Sequence, residues 1–107
     1  MRVTMERFEE AVQAALDSIP EPFQHYLSDI EFVVAKRSEG DDLLGLYQGS
    51  GALVEGGFPA RITLYRDTHA AISHQWEDLV AEVRRTVLHE IGHHFAMGEE
   101  ELRRSGL

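Results

Sequence analysis

The stretch HEIGHHFAMGEEEL, residues 89–102, decides how this chain is read. On an α-helix, residues four apart lie about 40° apart around the axis, so His89 and His93 leave one face a turn apart and can share an ion. Glu90 points about 100° away from His89, near enough to reach a water on that ion without binding the ion itself. Two neutral imidazoles and a carboxylate at H-E-x-x-H spacing therefore point to a helix-borne metal site, with Glu90 as proton acceptor.

Six histidines in 107 residues let such a pattern arise by chance, so its surroundings must support it. Around His89 the helix presents Glu82, Arg85, Thr86, His93 and Ala96, a polar or small strip. The opposite arc gathers Val80, Val83, Val87, Leu88, Ile91 and Phe95, the stripe a core-facing helix needs. The periodicity predicts one long helix over residues 75–97, stopped by Gly98, with both site histidines turned away from the core. His94 falls on the core arc and is expected to pack, as is Trp76. Gly92 inside the helix costs about 1 kcal/mol relative to alanine, which the close approach of a strand would explain.

Catalytic zinc commonly takes three protein ligands and leaves the fourth place open. Beyond Gly98 the oxygen donors are Glu99, Glu100 and Glu101. Glu99 is the favoured third ligand, because a turn after the helix stop brings it back toward the ion. Glu100 and Glu101 stay open as alternatives, as does a plain role for all three at the start of a short final helix.

The rest of the chain bounds the possibilities. Its length suits a single domain over residues 1–107 with one core. Cysteine is absent, so neither disulfides nor thiolate ligands contribute. Nineteen acidic against ten basic residues give a formal charge of −9, which repels phosphate backbones and argues against a nucleic-acid partner. The start carries charges where a signal peptide needs an apolar run, and no stretch has the length of a membrane span, so a cytoplasmic protein without membrane attachment is expected.

Thr4 is placed to cap a first helix running to about residue 19, with Phe8, Ala11, Val12, Ala15 and Ile19 at helical spacing. Pro20 and Pro22 end it, and Pro22 starts a short second helix reaching His25 to Ser28. IEFVVA (residues 30–35) and RITLYR (residues 61–66) are strands by their β-branched and aromatic content. Between them six glycines surround LLGLYQG and ALVEG, read as a loop and a hairpin at a sheet edge. Residues 67–73 are a connector of no evident form. His25, His69 and His74 lie in or near connectors and are expected to be solvated. Tyr47 reads as packing, with a hydroxyl that reaches a reaction intermediate if its strand borders the cleft.

The motif, together with LLGLYQG and FPARITLYR, resembles the small zincin-like metallopeptidases of bacteria, over residues from about 30 to 102. Their signature is similar to H-E-x-x-H-x-x-G-x-x-D, which here reads His89, Glu90, His93, Ala96 and Glu99. The resemblance implies a zinc site with His89, His93 and Glu99 as ligands and Glu90 as catalytic base. Ala96 stands where the pattern has glycine, and Glu99 where it often has aspartate. Gly98 supplies the turn instead of a glycine at 96, and the extra methylene of Glu99 changes its reach.

The expected architecture is α+β: an N-terminal helix, a sheet of three or four strands, and a long C-terminal helix carrying the metal. The expected activity is zinc-dependent hydrolysis of a peptide or protein substrate. Two other classes compete with it. One is a metal-binding regulatory or interaction domain without peptidase activity; the other is a metal-dependent hydrolase of RNA, disfavoured by the acidic surface.

Overall fold

In the computed structural model, which describes residues 1–49 and 59–94, Thr4 caps helix α1 (Met5–Asp17) as its position implies. Its hydroxyl accepts the Arg7 amide at 3.0 Å, satisfying one donor that the first helical turn leaves unpaired. The buried face of α1 is Phe8, Ala11, Val12 and Ala15. The helix ends before Pro20, and Gln24 closes it from outside by donating to the carbonyls of Leu16 at 3.0 Å and Ile19 at 2.6 Å. Gln24 belongs to α2 (Glu21–Gln24), which has Pro22 in its first turn and runs into a 3-10 turn, His25–Leu27.

Strands β1 (Ile30–Ala35), β2 (Gly45–Gln48) and β3 (Ala60–Tyr65) form one sheet in the order β1-β3-β2. The central β3 runs parallel to β1 and antiparallel to β2. Alternation along the strands separates two faces. Ile30, Phe32 and Val34 of β1 and Ala60, Ile62 and Leu64 of β3 turn to the core, and Arg61 pairs with Glu31 at 2.7 Å on the other face. LLGLYQG thus supplies an edge strand, as expected. Its hairpin partner ALVEG lies outside the described residues, and within them β2 pairs with β3. The strand expected to reach Arg66 stops at Tyr65.

Arg66 instead begins α3 (Arg66–Ala71), a helix where sequence reading found only a connector. Its first turn is tied down by tertiary bonds: the Asp67 amide donates to Lys36 O at 3.0 Å and the Thr68 hydroxyl to Leu43 O at 2.7 Å. His69, expected in solvent, is fully buried and is a correction; it packs near the Phe8 ring, with centroids 5.7 Å apart.

Helix α4 (Trp76–His94) is the longest element. Ahead of it, the Asp78 carboxylate accepts the amides of His74 at 3.1 Å and Gln75 at 3.2 Å, gathering the chain into its first turn. Leu79, Val83, Val87, Leu88 and Ile91 join α1 and the inner sheet face in one apolar core. The Arg7 guanidinium lies 3.6 Å over the Trp76 ring and joins the starts of α1 and α4, an interaction worth roughly 0.5 to 1 kcal/mol at an exposed site. The expected continuation to residue 97 and the stop at Gly98 lie outside the described residues. No helix among the described residues is long and apolar enough to cross a membrane.

Candidate metal centre

Helix α4 carries two neighbouring polar stripes. Arg85, His89 and His93 follow one another at intervals of four on the outer stripe, where Arg85 and His93 are exposed and His89 is half-buried. Thr86, Glu90 and His94 repeat the same spacing one residue later, and all three are buried.

The inner stripe is buried because β2 lies along it. A two-residue step of a strand advances about 6.6 Å, and four residues of helix about 6 Å, so alternate residues of β2 keep pace with successive turns of α4. Gly45 meets Thr86 and Glu90, and Tyr47 meets His94. A Cβ added at Gly45 would stand 2.7 Å from Thr86 Cγ2, 3.3 Å from Thr63 O and 3.4 Å from Glu90 Cγ, so glycine is what lets the strand backbone close on the helix. Tyr47 Oη and His94 Nδ1 share a hydrogen bond of 2.7 Å. The packing role expected for His94 holds, and burial pushes its imidazole below the usual histidine range, opposed by the charge of Asp29.

The buried His69 is the anchor behind this stripe. Its Nδ1 lies 2.8 Å from the Tyr65 carbonyl, which can only accept, so Nδ1 carries the hydrogen. Desolvation lowers the pKa of the ring and favours its neutral form, with the Tyr65 carbonyl and the charge of Glu82 opposing. In that form Nε2 is an acceptor for the Thr86 hydroxyl, 2.8 Å away, whose single hydrogen is shared with the Glu82 carbonyl at 3.1 Å. Threonine in a helix divides between two side-chain rotamers, and this bond selects the one that turns the methyl toward Gly45.

Between the stripes and the start of β2 lies a cleft of about 290 Å³, lined by Leu44, Gly45, Arg85, Thr86, His89 and Glu90. The ligand atoms of His89 and Glu90, which line this cleft, and of His93, one turn on from His89, all lie within 4.8 Å of one another. The two imidazoles are edge to face, 5.2 Å between centroids, and Glu90 Oε2 stands 4.0 Å from His93 Nε2. Zinc holds nitrogen and oxygen donors at about 2.0 to 2.2 Å, so small side-chain rotations would let His89 and His93 share one ion with the Glu90 carboxylate beside it. A neutral-imidazole and carboxylate donor set suits a divalent cation of that kind. Glu90 is only 9% exposed, its stem enclosed between Thr86 and Gly45 while its carboxylate reaches the cleft.

The structure therefore brings three of the expected site residues together on α4. Glu99, the favoured third ligand, and its alternatives Glu100 and Glu101 lie outside the described residues. Sequence reading placed Thr86 on the solvent-facing strip, whereas β2 buries it. It also left His69 without a role at the site and, while placing an extended substrate along the edge strand near Gly45 to Gly49, did not foresee the close approach of Gly45 to the helix. The repeat Thr86, Glu90, His94 was a usable signal for that second stripe, because a run of polar residues at intervals of four beside an apolar arc asks for a partner.

The chain is similar to a conserved hypothetical protein of T. thermophilus whose structure is solved. The two share 31% sequence identity over 85% of this chain and 92% of that one, with a TM-score of 0.56. No curated protein matches the chain. Residues 27–107, which include β1, β2, β3 and all of α4, match the model of a family described as zincin-like metallopeptidase. The chain belongs to the zincin-like metallopeptidases.

Proposed function

We propose that the protein is a zinc-dependent peptidase in which His89, His93 and Glu99 hold the ion and Glu90 is the general base. The observation that carries this reading is the gathering of His89, Glu90 and His93 ligand atoms within 4.8 Å of one another beside a cleft of a zincin-like chain. Zinc, when bound, supplies Lewis acidity that makes water nucleophilic at neutral pH and polarises a carbonyl. Glu90 takes a proton from the attacking water as its oxygen bonds to the scissile carbon, then delivers that proton to the amine as the C–N bond breaks. The enclosure of its stem by Thr86 and Gly45 holds the carboxylate at one place in the cleft.

The substrate is a peptide or protein segment in extended form. Strand β2 borders the cleft and, among the described residues, pairs on one side only, with β3. A substrate strand added along it would receive backbone hydrogen bonds and modest selectivity. So small a cleft suits selective cleavage rather than general proteolysis.

The test is zinc per chain and peptide hydrolysis in the purified protein and in two variants. His89→Ala should lose both zinc and hydrolysis. Glu90→Gln should keep zinc and lose hydrolysis. Full zinc content in His89→Ala, or undiminished turnover in Glu90→Gln, overturns the assignment.

A further inference from the structure

We infer that Arg85 is a specificity-determining residue: its guanidinium receives a substrate carboxylate beside the scissile bond, so the preferred substrates are acidic. This rests on the reading of the cleft as a peptide-hydrolysing site and extends it to the kind of peptide taken.

Arg85 precedes His89 by four residues, so both lie on the outer stripe of α4, about 6 Å apart along the axis. An extended peptide covers that distance in about two residues. A group bound by Arg85 therefore belongs to a residue next to the bond being cut, or to the one after it. The side chain also forms part of the cleft wall together with Glu90 and Leu44. Among the described residues that line the cleft it is the one permanently cationic group. In a chain of net charge −9, with Glu82 and Glu90 close by, the cleft would repel acidic peptides without it.

The guanidinium is available for this task. Its side chain is 79% exposed, and its ion-pair partner Glu82 stands 3.6 Å away, beyond hydrogen-bond distance. Its planar fork of N–H donors is thus open to a carboxylate, which it can hold through two parallel bonds. A lysine at this position would supply charge but not the fork. Leu44, on the opposite wall, offers apolar surface to the stem of such a residue. The carboxylate can come from a Glu or Asp side chain or from the C-terminus of a chain, and the two sources are separable.

The test uses the zinc-loaded Glu90→Gln protein, which binds without turnover, and calorimetry at low ionic strength. The probes are N-acetylated tetrapeptides identical except for Glu or Gln just after the central bond, each made with a free acid or an amide at its C-terminus. Carboxylate-bearing probes should bind about tenfold tighter than their neutral counterparts, the order of one charge-assisted hydrogen bond. Arg85→Gln added to this protein should erase the preference while zinc content stays unchanged, and Arg85→Lys should keep part of it. A preference held by amidated Glu peptides identifies a side chain, and one confined to free acids identifies a chain terminus; either supports the proposal. Equal binding of all four probes overturns it, as does a preference that survives Arg85→Gln, or loss of zinc in that variant. Failure of the peptidase reading looks different: the unmutated protein would bind acidic peptides and leave them whole.

Discussion

Gly45→Ala is the perturbation that best tests the docking of β2 on the site helix. The new Cβ would stand 2.7 Å from Thr86 Cγ2 and 3.3 Å from the Thr63 carbonyl oxygen, both closer than ordinary contact. Thr86 cannot simply rotate away, because its hydroxyl is bonded to the buried His69. Relief requires either breaking that bond, worth about 1 kcal/mol, or moving the strand. Overpacking of this kind costs roughly 1 to 3 kcal/mol, while alanine in place of glycine restricts the unfolded chain and returns about 0.4 to 1 kcal/mol. The net expectation is a loss of about 1 kcal/mol. For a domain of this size that lowers Tm by roughly 4 to 8 °C.

Combining Gly45→Ala with Thr86→Ser makes the test specific. Thr86→Ser alone removes a buried methyl and should cost about 1 kcal/mol, but it also takes away the atom that the new methyl at position 45 would strike. Urea unfolding of the wild type, both single variants and the double variant gives the coupling between the two positions, expected to be favourable by about 1 kcal/mol. A Gly45→Ala protein as stable as wild type would refute the close approach of β2 to Thr86. Strict additivity of the two changes would refute it as well.

Zinc should raise the unfolding free energy by about 2.7 kcal/mol at a hundredfold excess over its Kd, with chelation reversing the gain and His93→Ala abolishing it; calorimetric melts with and without zinc decide this. Burial lowers the pKa of His69 from its ordinary 6.5, so the unfolded chain takes up a proton in a range where the folded protein does not. Its contribution to stability is therefore present above pH 6.5 and lost as pH falls below it toward the depressed folded value, and His69→Gln should flatten that part of a stability profile. His94 is shifted the same way, so the flattening is partial. Thr4→Ala should lower stability by about 1 kcal/mol and leave zinc binding unchanged, as read by urea unfolding and metal content.

What could be read in advance was whatever depends on neighbours in the chain. The Thr4 cap, the apolar face of α1, both long strands and the shared face of His89 and His93 all follow from local spacing. The form of α3 does not: RDTHAA carries no apolar period, and its helix is held through Lys36, Leu43 and Thr86, residues far away in sequence. His69 was misjudged for the same reason, since only the meeting of α3 with α4 supplies the hydroxyl that its second ring nitrogen needs in the interior. Thr86 looked solvent-facing because helical arithmetic places residues relative to one another and is silent on where a strand will dock. The glycine at position 45, unremarkable among six in that region, decides it.

That docking gives α4 its division of labour. A helix on the rim of a small core has one apolar arc to anchor it and one polar arc in water, and a metal site built on the wet arc alone would have ligands but no fixed base. Here β2 covers half of the polar arc, so that Thr86, Glu90 and His94 are enclosed while Arg85 and His93 remain open. Enclosure has an energetic cost, since Glu90 loses water around its stem and its contact with His93 Nε2, at 4.0 Å, is too long for a hydrogen bond. A fold selected for stability alone would place an apolar residue between Thr86 and Gly45. A carboxylate kept there at a cost in stability can still accept from a group that enters the cleft, which is the physical ground for the proposal that Glu90 serves the site rather than the core.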